Sequence, residues 1–191
     1  MTFSSYCSSL FSVINSQNEI IYNQQISQLA NLIIDADHQQ GITVIFGNGG
    51  SAADAQHWAA ELICSYHKSI RKPIKALALT TDSSVITAWA NDFSFDSIFK
   101  RQIDAYSHLI RISIGLSTSG TSKNVLQGLK SARSYGSKTI LISGCCCSSN
   151  ESVDMHVQFD TSETGIIQTL TQIFYHSVCL EVESKLLSLI L

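Results

Sequence analysis

Five short apolar runs recur along the second and later parts of the chain: ITVIF at 42–46, KALAL at 75–79, RISIGL at 111–116, KTILI at 138–142 and MHVQF at 155–159. Each has strand length and strand-like residues, and longer stretches compatible with helix separate them. Strands that alternate with helices predict a parallel sheet with right-handed crossovers and helices on both faces. Ahead of the first run, Leu10, Val13, Ile14, Ile20, Ile21, Ile26, Leu29, Leu32 and Ile33 recur at helical spacing, and no proline or glycine intervenes before Gly41. One or two helices are expected over residues 3–40. From Thr161 onward Ile167, Leu170, Ile173, Phe174, Val178, Leu180 and Leu186 form the stripe of a long C-terminal helix. The expected fold is α/β: a three-layer αβα sandwich with a five-stranded parallel sheet, flavodoxin-like or Rossmann-like, with N-terminal helices and a long C-terminal helix. No repeat or linker-like stretch interrupts the 191 residues. We therefore expect a single domain over 1–191, with a helical segment at about 1–40 and an α/β core at about 41–191.

Composition narrows the function classes. The formal net charge is −3, and the 12 Lys and Arg residues are scattered rather than striped, which argues against nucleic acid as a partner. Lys68, Arg71 and Lys72 make the one local basic group, read as a solvated loop. The first residues lack a basic n-region, and no apolar run approaches the ~18 residues of a membrane span, so a cytoplasmic protein without a membrane partner is expected. Six cysteines include the run Cys145-Cys146-Cys147. Neighbouring cysteines pair poorly and CxxC spacing is absent, so free thiols in a loop are expected rather than a disulfide or metal cluster.

Candidate chemistry begins at Phe46 to Glu61, FGNGGSAADAQHWAAE, where a glycine-rich turn at the end of a strand leads into a helix. Glycines let backbone N–H groups approach an anion closely, and the helix N-terminus adds a favourable dipole. His57 and Glu61, four residues apart, share one helical face. The turn also fits GxGxxA, the loose dinucleotide pattern. That reading needs an acidic residue about 20 positions on, and the candidate Asp82 lies more than thirty residues away. A second loop, Ser117-Thr118-Ser119-Gly120-Thr121-Ser122, places five hydroxyls in six positions between a strand and a helix. Capping accounts for one or two of them, whereas together they suit the terminal oxygens of a phosphomonoester. A P-loop lysine is absent. Near the C-terminus, IIQTLTQIFYH adds Gln168 and His176.

Taken together, GNGGSAADAQHWAAEL, the Asn91-Asp92-Phe93 turn, LSTSGTS and the Gln168…His176 spacing resemble the bacterial phosphoheptose isomerases, which belong to the sugar isomerase (SIS) domain class. The match runs in order from about residue 40 to 180. The resemblance implies that His57, Glu61, Gln168 and His176 bind a zinc ion, one per subunit, with Glu61 and His176 assigned to proton transfer. It implies phosphosugar contacts from Asn48, Gly49, Gly50, Ser51, Asn91, Asp92, Ser117, Thr118, Ser119 and Ser122, joined by Glu61 and Gln168. The family converts sedoheptulose 7-phosphate to D-glycero-D-manno-heptose 7-phosphate, towards the heptose of lipopolysaccharide or related surface glycans. Its members are typically homotetramers with active sites between subunits.

The residues suit that chemistry. Moving a carbonyl between C2 and C1 needs a base for a carbon-bound proton, an acid for the oxygen and a stabiliser for the enediolate. Glu61 suits the base and His176 the acid. Eight residues of helix span ~12 Å, so Gln168 and His176 can share an ion only if Gln168 sits near the helix start or if ligands come from more than one subunit. Two positions depart from the family pattern: Ile166 and Ser65 stand where arginines are usual, which puts affinity for the usual substrate in question. The alternative function is a non-catalytic SIS protein that binds a sugar phosphate or a replication-initiator partner. Relatives of that kind typically lack the glutamate of the HxxxE pair, which this chain retains as Glu61.

Overall fold

The first apolar run becomes an interior strand with both faces buried. In the computed structural model, which describes residues 2–16, 19–67, 70–145 and 153–188, β1 (Ile42–Gly47) pairs in parallel with β2 (Ala76–Ala78) on one side and β3 (Ile110–Leu116) on the other. β4 (Lys138–Gly144) and β5 (Met155–Phe159) extend the sheet, giving the order β2-β1-β3-β4-β5. Val44 and Phe46 pack on one face with Leu79, Phe99, Ile103 and Leu129. Ile45, with Ile114, Ile142 and Val157, faces the opposite layer. Burial on both sides explains why these strands are continuous apolar runs rather than alternating ones. Each fully buried aliphatic side chain contributes about 1.5–3 kcal/mol.

The layer on the Ile45 face consists of α1 (Phe3–Ser16), α2 (Glu19–His38), α3 (Gly50–Ile63) and α7 (Thr164–Ser188). The other holds α4 (Ser83–Asp92), α5 (Ile98–Tyr106) and α6 (Lys123–Ser134). The expected three-layer αβα sandwich with a five-stranded parallel sheet is therefore present. β2 is shorter than the run 75–79 suggests, although the Leu79 N–H still reaches the Ile45 carbonyl at 3.0 Å. Asn91 and Asp92 are not a free turn: they close α4, and Phe93 caps it by donating to the Trp89 carbonyl. Asp82, the residue that a dinucleotide site would need, serves as the N-cap of α4 and accepts from the Val85 N–H at 2.9 Å. No helix among the described residues is long and apolar enough to cross a membrane.

The basic group departs from a solvated loop. Lys68 lies outside the described residues, but the Arg71 side chain is buried, with its Nε donating to Glu183 Oε1 of α7 at 3.1 Å. Its other nitrogens donate to the carbonyls of Glu61 and Leu62, at the exposed-carbonyl end of α3. Lys72 donates to Asp37. Glu183 also accepts from the Tyr66 and His67 N–H groups and from the Ser65 hydroxyl. Burial alone would raise the Glu183 carboxyl, yet these donors more than offset it and hold it below its usual value. Asp37 is treated the same way: burial opposes, and the bonds from Lys75 and Lys72 prevail.

A carboxyl whose folded-state pKa is depressed contributes stability above its unfolded value of about 4, and loses it as pH falls through the folded value. Urea denaturation is accordingly expected to show stability falling below about pH 4. Glu183→Gln should cost about 3–5 kcal/mol at neutral pH, because Arg71 is left buried without its partner, and should flatten part of the acid loss. An acid limb of unchanged steepness in Glu183→Gln would remove Glu183 from that account.

Candidate active site

The strand order reverses between β1 and β3, and ligands in open α/β sheets bind at the carboxyl ends of strands flanking such a switch point. Both hydroxyl- and glycine-rich loops emerge there. After β1, Gly49 adopts φ 56°, in the left-handed region that glycine tolerates. Gly50 begins α3, where a Cβ would sit 2.4 Å from Gln168 Nε2, so only glycine lets the amide on α7 lie against this turn. After β3, Ser122 stands at the N-cap of α6 but makes no capping bond with its side chain. Its hydroxyl instead accepts from Ser117 Oγ at 3.0 Å, while Ser119 Oγ accepts from the Thr121 N–H and hydroxyl. Gly49 likewise caps α3 without a side chain. Two helix N-termini therefore point N–H groups at the same end of the sheet, an arrangement suited to an anion.

The two loops are clasped together. Asn48 Nδ2 donates to Asn124 Oδ1 at 2.9 Å, and Asn124 Nδ2 returns a bond to Asn48 Oδ1 at 2.8 Å. Asn48, expected to touch substrate, thus spends its amide on Asn124, which the sequence did not single out. Gly49, Thr118 and Ser119 remain accessible on the same rim, whereas Ser51 and Ser117 are buried beneath it.

On α3, one turn separates His57 from Glu61, and His57 Nε2 lies 3.1 Å from Glu61 Oε1. α7 supplies His176, whose ring centroid is 5.2 Å from that of His57. Tyr66, on the loop held by Glu183, packs on His176 from another side at 5.0 Å. Burial first, then the neighbouring His57, lowers the His176 pKa, with Glu61 partly opposing. His176 Nε2 is buried without a hydrogen-bond partner among the described residues. Asp54, one turn before His57, is pushed up by burial, with His57 opposing. Gln168 lies in the second turn of α7, near the helix start, which is one of the two arrangements that its spacing from His176 required.

His57, Glu61 and His176 are thus brought together, with Gln168 against the turn that begins α3. Asn91 and Asp92 are exposed, bonded to each other at 2.8 Å. Among the described residues no hydrogen bond or ion pair ties them to the His57 group. Ile166 is core, and Ser65 is committed to Glu183, so neither position offers an anion a contact of the kind an arginine makes. Cys145 is exposed; Cys146 and Cys147 lie outside the described residues.

Residues 5–144 match the SIS domain family. A probable phosphoheptose isomerase of Thermoplasma acidophilum is 42% identical over 85% of this chain and 89% of its own. The chain belongs to the phosphoheptose isomerase family of SIS-domain proteins. Solved structures agree. The phosphoheptose isomerase GmhA of Neisseria gonorrhoeae superposes with a TM-score of 0.79 at 30% identity, covering 94% of this chain and 96% of that one. A phosphoheptose isomerase of Francisella tularensis gives 0.80 at 27% identity, covering 96% and 100%. For a phosphoheptose isomerase family member the clasp between the two loops has a measurable worth. Asn124→Ala strands the half-buried Asn48 amide and should cost about 1–3 kcal/mol in urea denaturation; a change within error would show that the pair carries no load.

Proposed function

We propose that this chain is an aldose–ketose isomerase that converts sedoheptulose 7-phosphate to D-glycero-D-manno-heptose 7-phosphate through an enediolate, supplying heptose for a surface glycan such as lipopolysaccharide. The observation that carries the reading is the meeting of Glu61 from α3 and His176 from α7 at His57, at the switch point where the hydroxyl loop opens. The Glu61 carboxylate takes the carbon-bound proton, and His176 delivers a proton to the carbonyl oxygen as the double bond shifts. The Ser117 to Ser122 loop and the N-terminus of α6 hold the phosphate with neutral donors. The Asn48 turn, kept in place by Asn124, lines the sugar side.

His57, Glu61, Gln168 and His176 would hold a zinc ion. Mixed nitrogen and oxygen donors suit zinc, and the partnerless, buried Nε2 of His176 suits a ligand. Bound there, zinc would polarise the substrate carbonyl as a Lewis acid. Among the described residues no group of three or more His, Cys, Asp or Glu side chains is already placed to hold an ion, and His57 Nε2 is turned onto Glu61. Metal uptake therefore requires that hydrogen bond to give way, and tight ligation of Glu61 would weaken it as a base. We also place the active unit in a homotetramer. The exposed Phe3 and Phe11 of α1 and Ile20 and Ile21 of α2 support self-association, and the exposed Asn91 and Asp92 are available to a neighbouring subunit's site.

The test is turnover of sedoheptulose 7-phosphate by purified protein, with and without a chelator, alongside metal content per subunit. Glu61→Gln is expected to lower kcat by ~10²–10⁴. Gly50→Ala should change Tm little, since the Gln168 amide can swing aside, while turnover drops. No turnover by the native protein would sink the isomerase reading, and unchanged turnover in Glu61→Gln would remove that residue as the base.

A further inference from the structure

The residue before His176 on α7 is Tyr175, and the proposed reaction makes no use of it. Its side chain is fully buried and stacks on Trp58 of α3, with centroids 5.3 Å apart and planes inclined by 18°. The hydroxyl lies 2.8 Å from His57 Nδ1. The opposite ring nitrogen, His57 Nε2, is 3.1 Å from Glu61 Oε1. A neutral imidazole has one donor and one acceptor nitrogen, and an ionised carboxylate only accepts. Nε2 must then carry the hydrogen, and Nδ1 must accept from the phenol, which is protonated at neutral pH.

We propose that Tyr175 is a positioning residue: its hydroxyl fixes the orientation of the His57 ring and presents Nε2, not Nδ1, to Glu61. Packing alone does not call for a hydroxyl, since phenylalanine would stack on Trp58 equally well and would bury no polar group. A hydroxyl also has a property that other partners lack, because it both donates and accepts. In the tautomer that would leave Nε2 free to coordinate a metal, Nδ1 carries the hydrogen and would donate to the same oxygen once the phenolic hydrogen turns away from it. A backbone carbonyl would serve only that second arrangement and an ammonium only the first. Tyr175 therefore holds the ring in one orientation while its proton moves between nitrogens. Such outer partners of a functional histidine commonly govern its tautomer and direction.

The orientation inference stands on geometry alone, whereas its kinetic consequence rests on the isomerase reading, so the experiment separates them. Native protein and Tyr175→Phe, both labelled with ¹⁵N-histidine, are compared by long-range ¹H–¹⁵N correlation, with the His57 ring assigned from a His57→Gln spectrum. The native spectrum should show His57 with a protonated Nε2 and an accepting Nδ1; Tyr175→Phe should show the two tautomers averaging. In the same variant kcat should fall about 10- to 100-fold, with KM and Tm close to native because the ring stack on Trp58 is kept. His57 ring signals that are the same in both proteins would overturn the proposal, as would kcat within about twofold of an active native enzyme. A native protein that does not turn over sedoheptulose 7-phosphate would count against the isomerase reading, and the nitrogen signals would still decide the role of Tyr175.

Discussion

The clamping of α3 by α7 is the constraint from which the site's geometry follows. The two helices are far apart in the chain, yet α7 grips α3 at three heights. At the start, Gln168 lies against Gly50, where a Cβ would push its amide aside. In the middle, Tyr175 stacks on Trp58, a pair worth ~0.5–1.5 kcal/mol beyond the area it buries. At the end, Glu183 holds Arg71, which itself caps the Glu61 and Leu62 carbonyls. Helix register along this contact sets the distances among His57, Glu61 and His176. A slip of α7 by one turn, ~5.4 Å, would carry His176 and the Tyr175 hydroxyl away from His57 together.

Much of the fold was legible because strands buried on both faces announce themselves as unbroken apolar runs, and the long helices by their stripes. What escaped depends on partners distant in sequence. Arg71 in a stretch of Lys and Ser reads as solvated, and only the placement of Glu183, 112 residues on, reveals a buried ion pair. In the site, His57 and Glu61 were visible as a pair because helical spacing is local. The approach of His176 to His57 was implied by the family resemblance alone, since periodicity places a residue on a face but does not say which helix that face meets. Tyr175 hid for a related reason: in an apolar stripe a tyrosine reads as core, which it is, and its hydroxyl gains meaning only from the imidazole opposite. Asn124 carried no signal at all, because an asparagine in the first turn of a helix is ordinary.

The same clamp bears on how the proposed phosphate would be held. With Ile166 in the core and Ser65 and Arg71 both committed to Glu183, these positions bring no cation to the sugar. The anion-binding capacity that remains comes from N–H groups at two uncapped helix ends and from clustered hydroxyls. Neutral, preorganised donors carry less Coulombic attraction than a guanidinium, and their orientation matters more. The reciprocal Asn48–Asn124 bonds tie the two loops to each other and fix that orientation.

Glu61 is where the competing demands meet. As a partner of His57 it must accept a hydrogen bond; as the proposed base it must be free to take a proton; as the proposed ligand it must face a cation. These roles exclude one another at full strength, because each draws on the same carboxylate lone pairs. They coexist only if the energies separating them are small, and the site has the means to keep them small. Glu61 is partly accessible to solvent, so its charge is never stranded. His57 is held from behind by a hydroxyl that suits either of its tautomers. When His57 lets go of the carboxylate, the ring need not turn. A carboxylate fixed by several donors, as Glu183 is, would be an anchor and a poor base; Glu61, bonded by one ring nitrogen on the open side of the same helix pair, can change partners within a catalytic cycle.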